Sequence, residues 1–220
     1  MEYTFENYCD KESYAYKAAL MFTERPMEKD DSFNPLYIYG DNERKREHLT
    51  NAIANALTKN PSYSIVDLDA GLFTNALISA IRTGINMDQF IRRYSTDLLI
   101  IRRLHLFVNL ETASWELFRL VDYVKNELGG KIVFTTYASP VELVEMGFYE
   151  RYTSRATAGI VCNVDSSTAI ADSTNTMSLT PRYKKRQKGN WNNNKTHSSP
   201  KKWSKRCTRR TVYNFVHNSI

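Results

Sequence analysis

The sequence predicts an α/β fold built on a five-stranded parallel sheet. Short apolar runs rich in β-favouring residues alternate with amphipathic helical stretches of about 10–15 residues, which is the pattern of strand–helix–strand units. The run at 98–101 is entirely apolar, as expected of a central strand buried on both faces. Because connections between parallel strands wind in one sense, we expect a right-handed wound sheet.

The elements are predicted in order from local patterns. A helix over 13–23 is followed by a charged, proline-containing loop and by the first strand, Leu36–Tyr39. A turn over 40–47 and a helix to about Lys59 come next, and Asn60-Pro61 interrupts the chain. The remaining predicted elements are a strand at 63–68, helices at 73–82 and 87–94, a strand at 98–101, a helix at 115–128 ended by Gly129-Gly130, a strand at 132–135, a short helix at 141–146 and a strand at 159–164.

Charge divides the chain into two parts. The net charge is +6, but residues 181–220 hold 12 Lys/Arg and no Asp/Glu, which leaves 18 Lys/Arg against 24 Asp/Glu in the first 180 residues. A mildly acidic body therefore carries a strongly basic tail. We expect a folded domain over 1–165, followed by a tail over 166–220 that is Ser/Thr/Asn-rich, then basic and low in complexity, and disordered in isolation.

The cysteines and the hydropathy pattern predict a cytoplasmic protein. Cys9, Cys162 and Cys207 are odd in number and far apart, so they match neither a metal site nor a disulfide framework. No run approaches the roughly 18 apolar residues of a membrane span, and the acidic, aromatic N-terminus is unlike a signal peptide. We expect no metal site and no membrane association.

The stretch 35–57 has the strand–turn–helix frame on which a phosphate-binding loop is built. The strand stops at Gly40 and a helix follows, and backbone N–H groups at a helix N-terminus attract anions. The pattern of a working loop, GxxxxGK[ST], is missing between them. The frame is present, and the residues that would bind phosphate are absent.

Several stretches, taken together and in order, resemble a known family. They are TFENY from Thr4, FNPLYIYG from Phe33, HLTNAIA from His48, FTNALISAIRTG from Phe73 with FIRRY from Phe90, DLLII from Asp97, KIVFTT from Lys131 and ERYTSR from Glu150. In this order they resemble the ATPase domain of the bacterial replication initiator DnaA, an AAA+ member of the P-loop NTPases. The resemblance covers about 3–165. It implies a three-layer P-loop NTPase core whose lid domain is absent, because the family pattern ends near Asp165.

The resemblance also implies that both Walker motifs are degenerate. In the family's register the phosphate loop begins at Gly40, and the Walker B acidic positions fall on Arg102 and Arg103, which would repel Mg²⁺. The loop's later glycines fall on Asp41, Glu43 and Lys45, its lysine on Arg46 and its Mg²⁺-binding hydroxyl on Glu47. The adenine-side loop falls on Cys9, Asp10 and Lys11, and the sensor 1 aspartate on Tyr137.

We therefore expect no ATPase activity and no cofactor, with ATP or ADP and Mg²⁺ bound by an atypical loop as the alternative. For Arg102 and Arg103 two interpretations stay open: drift at an unused site, with both side chains reaching solvent, or a new contact to an anion or nucleic acid. Arg151 and Arg155 fall on the family's arginine-finger positions.

Two features bear on nucleic acid. Ile78 falls on the family's apolar contact to single-stranded DNA, on the same predicted helix side as Leu77 and Ile81, whereas the family's basic positions fall on Leu110 and Thr112. In the tail, cations interleaved with aromatic side chains predict nonspecific nucleic-acid binding, the alternative being a solvated or non-native extension. The candidate tail residues are Lys184, Lys185, Arg186, Trp191, Lys201, Lys202, Trp203, Lys205, Arg206, Arg209 and Arg210.

Two classes of function follow. The first is a non-catalytic DnaA-like module that binds nucleic acid, DnaA or other replication proteins. The second is a nucleotide-binding replication initiation protein with a rebuilt phosphate loop. A decayed gene product is a third possibility that the sequence leaves open.

Overall fold

The computed structural model describes residues 3–29 and 31–166. Helices and strands alternate over most of this length, as the sequence predicts. The helices are α1 (Tyr14–Glu24), α2 (Glu43–Leu57), α3 (Ala70–Arg82), α4 (Met87–Arg92), α5 (Glu111–Asp122), α6 (Pro140–Glu145) and α7 (Glu150–Ala156). The strands are β1 (Leu36–Tyr39), β2 (Ile65–Asp69), β3 (Leu98–Arg102), β4 (Lys131–Thr135) and β5 (Ile160–Asn163). A 3₁₀ turn (Leu104–Phe107) follows β3, and a π-helical turn (Tyr123–Glu127) ends α5.

The five strands form one parallel sheet in the order β2-β3-β4-β1-β5. This confirms the predicted five-stranded parallel sheet. The run that the sequence places at the sheet centre is fully buried, since Leu98, Leu99, Ile100 and Ile101 expose no surface. Parallel pairing brings all five carboxyl ends to one edge, where α/β proteins bind their ligands.

Two hydrophobic cores lie on the two faces of the sheet and define three layers. Alternate residues of each strand point to opposite faces, so Leu98 and Ile100 join one core and Leu99 and Ile101 the other. Helices α1 and α2 cover the first face, and α3, α4, α5 and α7 cover the second. This arrangement confirms the predicted three-layer architecture.

Two local predictions are wrong. Helix α2 begins at Glu43, not after a turn reaching residue 47, because the Asn42 side chain caps it by accepting the backbone N–H of Lys45 at 3.1 Å. On α3, Leu77 is buried beside Phe73 and Ala80, whereas Ile78 and Ile81 remain 42% and 47% exposed. Leu77 thus lies on the core side, away from the two isoleucines.

Within the described ranges, no helix is long and apolar enough to cross a membrane. The predicted boundary near residue 165, the absence of a lid and the low-complexity tail depend on residues 167–220, which lie outside those ranges.

Candidate functional site

Four connected features meet at the carboxyl edge of the sheet: the turn between β1 and α2, the end of β2, the Arg102-Arg103 pair at the end of β3, and the segment after β4. The chain reaches this edge because every strand runs in the same direction. This is the edge at which the sequence places its candidate nucleotide site.

Gly40 opens the turn after β1 and is required there on two grounds. Its φ of +132° lies in a region that residues with a side chain rarely adopt. A Cβ at this position would lie 2.5 Å from Asp165 Oδ2, 2.8 Å from Asn163 Oδ1 and 2.9 Å from Val164 Cγ2. The close approach of β5 therefore fixes glycine at this position.

Several polar groups of this turn bind partners within the chain. The backbone N–H of Asp41 donates to Asp165 Oδ2 at 2.5 Å, and the Arg46 guanidinium donates to the carbonyl of Gly40. Lys45 Nζ donates to the carbonyl of Val164 at 3.3 Å and pairs with Asp10 Oδ2 at 3.4 Å. A phosphate loop needs free backbone N–H groups and a free ammonium. Here the Asp41 amide and the Lys45 ammonium have acceptors within the chain.

Arg102 ends β3 and reaches two other elements. Its Nε and Nη2 donate to the two carboxylate oxygens of Asp67 on β2, each at 2.7 Å, and Nη2 also donates to Asn51 Oδ1 on α2 at 2.8 Å. Burial acts to lower the pKa of Arg102, but the hydrogen bonds and charge of Asp67 outweigh it and raise the pKa above its ordinary value. The Arg102 side chain is 21% exposed.

Arg103 forms a second ion pair with β2. Its Nε donates to Asp69 Oδ2 at 2.7 Å, and its backbone adopts a left-handed φ of 57°. Asp69 also caps α3 through the N–H groups of Gly71 and Leu72. Burial acts to raise the pKa of Asp69, but the Arg103 hydrogen bond and the cap amides lower it overall. The interpretation that both arginines reach solvent is therefore wrong for Arg102 and holds only in part for Arg103, which is 57% exposed.

His105 and Tyr137 close this side of the edge. The His105 ring lies 4.4 Å from the Tyr137 ring, and its Nδ1 is 3.0 Å from Thr136 Oγ1. Burial lowers the pKa of His105, and the nearby Arg103 and Arg46 lower it further. Tyr137 also fixes the turn, because its carbonyl accepts the N–H of Gly40 at 3.3 Å.

A cavity of about 290 Å³ opens between the turn and the end of β3, and its charges balance. It is lined by Glu43, Arg46, Glu47, Asp69, Arg102, Arg103 and Thr135, that is by three arginines and three carboxylates. A second cavity, of about 210 Å³, is lined by Tyr8, Cys9, Asn42, Arg44, Lys45 and His48. Among residues 3–29 and 31–166, no three His, Cys, Asp or Glu side chains converge as a metal site would require.

The two arginine-finger candidates are bound to their own chain. Arg151 lies 3.3 Å from Glu111 and stacks over Tyr152, with 4.6 Å from its guanidinium carbon to the ring centroid. Arg155 pairs with Asp122 and lies over Phe118. Both arginines thus dock α7 onto α5. They remain 54% and 40% exposed.

The nucleic-acid candidates divide into one described residue and a tail. Ile78 is exposed on α3, as a contact residue must be. All candidates from Lys184 to Arg210 lie outside the described residues, so their role stays a prediction.

Sequence reasoning missed four residues that accept hydrogen bonds from Asp41, Arg102 and Arg103 at this edge. They are Asn51, Asp67, Asp69 and Asp165. Asp67 and Asp69 carry a usable signal, because two carboxylates two residues apart at a strand end point to one face. Asn51 and Asp165 carry none, because they reach the edge only through tertiary structure.

The strand order, the helices on both faces and the strand–turn–helix frame after β1 define a P-loop NTPase core of the AAA+ class. A family model described as the bacterial DnaA ATPase domain matches residues 1–163, and the chain belongs to that family. This confirms the resemblance that the sequence motifs predict.

Relatives and solved structures agree with this assignment. The chain is 29% identical over 169 residues to the chromosomal replication initiator protein DnaA of Thermosipho melanesiensis and 32% identical over 166 residues to that of Thermomicrobium roseum. Each match covers 74% of this chain but only 37% and 34% of the relative. The chain therefore spans about a third of the length of these relatives.

Two solved structures illustrate the likeness in fold. Domain III of the Thermotoga maritima replication initiation protein DnaA has a TM-score of 0.64 at 27% identity, and the match covers 74% of this chain and 66% of that one. A replication initiator DnaA bound to AMPPCP and single-stranded DNA has a TM-score of 0.63 at 26% identity, covering 73% of this chain and 49% of that one.

Proposed function

We propose that this DnaA-family domain does not hydrolyse ATP and acts as an interaction module in DNA replication, binding nucleic acid or replication proteins. The observation that carries the proposal is the pairing of Arg102 with Asp67 at the end of β3. A bound Mg²⁺ needs oxygen ligands that are free to coordinate it. Here the Arg102 guanidinium binds both carboxylate oxygens of Asp67.

Mg-ATP fits the described residues poorly. The loop after β1 has its Asp41 amide bound to Asp165 and its Lys45 ammonium shared between Asp10 and Val164. The neighbouring cavity carries as many carboxylates as guanidiniums, so its net charge offers no attraction to a polyphosphate.

The alternative proposal is a domain that binds ATP or ADP through a rebuilt loop. Arg46 and Arg103 favour it, because both guanidiniums line the larger cavity and Arg103 is more than half exposed. If a phosphate displaced their present partners, these two arginines would be its ligands.

Nucleotide binding separates the two proposals. We expect the melting temperature of the full chain to be the same, within about 1 °C, with and without 1 mM Mg-ATP or Mg-ADP, because a ligand stabilises only the state that binds it. A ligand at 100 times its Kd would add about 2.7 kcal/mol, a shift of several degrees. A clear stabilisation that disappears in an Arg46→Gln, Arg103→Gln variant would establish the alternative instead.

The nucleic-acid part of the proposal has support from two directions. One solved DnaA is bound to single-stranded DNA, and this chain carries 12 Lys/Arg without any Asp/Glu over 181–220. Free cysteines at positions 9 and 162 fit a reducing cytoplasm as the setting for this activity.

A further inference from the structure

Arg102 is the point at which three elements of the domain are joined. It lies on β3, its carboxylate partner Asp67 lies on β2, and its amide partner Asn51 lies on α2. The three hydrogen bonds span 2.7–2.8 Å and cross sequence separations of 35 and 51 residues. No backbone hydrogen bond of the sheet can tie α2 to β2 in this way.

The surroundings of Arg102 require a positive charge. Besides Asp67, the carboxylates of Glu47 and Asp69 both act to keep the guanidinium charged. Asp69 is the register partner of residue 102, and Asp67 lies two residues earlier on the same face of the strand. Without a cation at residue 102, the carboxylate of Asp67 would lose its partner, whereas Asp69 would keep Arg103.

We propose that Arg102 is a built-in cation, which supplies the positive charge that this edge would otherwise take from a bound metal ion and holds α2, β2 and β3 together without any ligand. The inference deepens the proposed function and rests on it in one respect, that the edge works without Mg-nucleotide. It attributes the stability of this edge without Mg-nucleotide to the side chain of Arg102.

Arginine suits this role where lysine does not. The planar guanidinium presents parallel N–H groups that match both oxygens of one carboxylate, and a further N–H remains for a second partner. Here that second partner is the amide oxygen of Asn51. A lysine ammonium would retain the charge but could not hold this fork geometry.

The test uses the melting temperature of the full chain. We expect Arg102→Met to lower it by about 5 °C and Arg102→Lys by roughly half as much, because a 1 kcal/mol loss costs about 2–4 °C in a domain of this size. Arg103→Met is the matched control, because the Arg103 guanidinium is more exposed than that of Arg102 and pairs with a residue of β2 alone. We expect it to lower the melting temperature by about 1–2 °C. A loss for Arg102→Met no larger than for Arg103→Met would overturn the proposal.

A charge reversal at residue 102 tests directly whether Arg102 takes the place of a metal ion. Arg102→Asp would place carboxylates at residues 67, 69 and 102 on one face, a set of hard oxygen ligands that divalent cations prefer. We expect 5 mM MgCl₂ to raise the melting temperature of this variant by several degrees above NaCl of equal ionic strength, and to leave the wild type unchanged. Equal melting in the two salts would contradict the built-in cation.

If Arg102→Asp fails to fold, a double-mutant cycle of Asp67→Asn, Arg102→Met and the double variant still tests the proposal. The cycle must show that the double variant loses clearly less than the sum of the two single losses, and strict additivity would overturn the proposal. Nucleotide binding by the wild type would refute the proposed function but would leave these stability differences as they are, so the two failures are distinguishable.

Discussion

The carboxylate of Asp165 accepts the backbone N–H of Asp41 at 2.5 Å, across a sequence separation of 124 residues. The contact brings the end of β5 onto the first residues after β1, and Gly40 completes it because no side chain fits between them. A loop amide that could otherwise donate to an anion here has a carboxylate of the same chain as its acceptor.

We expect Asp165→Ala to lower the free energy of unfolding by about 1–2 kcal/mol, because the Asp41 amide loses a charged acceptor. Asp165→Asn keeps an acceptor oxygen and should cost less than half as much. Urea denaturation measures both. The control is Glu12→Ala, which removes an exposed ion pair with Lys17 and should change stability by less than about 0.5 kcal/mol. Equal effects of Asp165→Ala and Glu12→Ala would show that the contact contributes nothing.

Gly40→Ala should be among the most destabilising single changes in the domain, by about 3 kcal/mol or more. Gly84→Ala is its matched control, since Gly84 also has a positive φ, +69°, but an added Cβ there would meet no atom within 4 Å. We expect Gly84→Ala to cost about 1 kcal/mol from backbone strain alone. The difference between the two variants in urea denaturation measures the steric part. Similar costs would mean that β5 moves away from the turn.

The sequence predicts the sheet well because its signals are local. Each strand is a short apolar run, and the fully apolar run at 98–101 identifies the central strand without reference to any other residue. The start of α2 was also predictable from local signals, since Asn42 followed by Glu43 is a favourable N-cap and first turn. The predicted turn over 40–47 overlooked this cap and therefore placed the start of the helix too late.

The partners of the charged side chains at the candidate site were far less predictable. That two arginines follow the apolar run at 98–101 is evident from the sequence, but whether a guanidinium meets solvent, a ligand or a carboxylate depends on which strand lies beside it. The pairing of β3 with β2 brings Asp67 and Asp69 there, and the packing of α2 adds Asn51. These are long-range contacts, and no local pattern encodes them.

Lys131 gives the domain a pH dependence that can be isolated. Its ammonium is buried and donates to the carbonyls of Phe22, Thr23 and Arg25 at the end of α1. Burial lowers the pKa of Lys131 to about 8. Between that pKa and the unfolded value near 10.4 the unfolded chain binds the extra proton, so this group stabilises the fold increasingly as pH rises through that window.

We therefore expect the stability of the wild type relative to Lys131→Met to increase by about 1 kcal/mol per pH unit between pH 8.5 and 10, measured by urea denaturation. Buried groups such as Cys162, whose pKa burial raises to about 12, lower stability in alkali in both proteins and cancel in the comparison. Below pH 7.5 the difference should be flat, which serves as the internal control. A flat difference over the whole range would refute the lowered pKa.

Single-stranded DNA binding distinguishes the basic tail from the folded domain. In a full chain with Lys201, Lys202, Lys205, Arg206, Arg209 and Arg210 changed to Gln, we expect affinity for a fluorescent oligonucleotide to fall at least tenfold in 50 mM salt. Each lost phosphate contact should also reduce the slope of log K against log salt by about 0.7, to a total of roughly 4. Trp203→Leu should weaken binding without changing that slope, because stacking on a base releases no counterions.

The matched control for this charge removal lies in the folded domain. Arg82, Arg92 and Arg93 are exposed on and next to α3 and α4, where Ile78 is also exposed. If the tail carries the binding, changing these three arginines to Gln should leave the affinity within about twofold, since nonspecific binding follows the charges that contact phosphate. Retained affinity in the tail variant with loss in the arginine variant would transfer the nucleic-acid interface to the α3–α4 surface. Retained affinity in both would remove single-stranded DNA from the proposed function, leaving replication proteins as the partner to test.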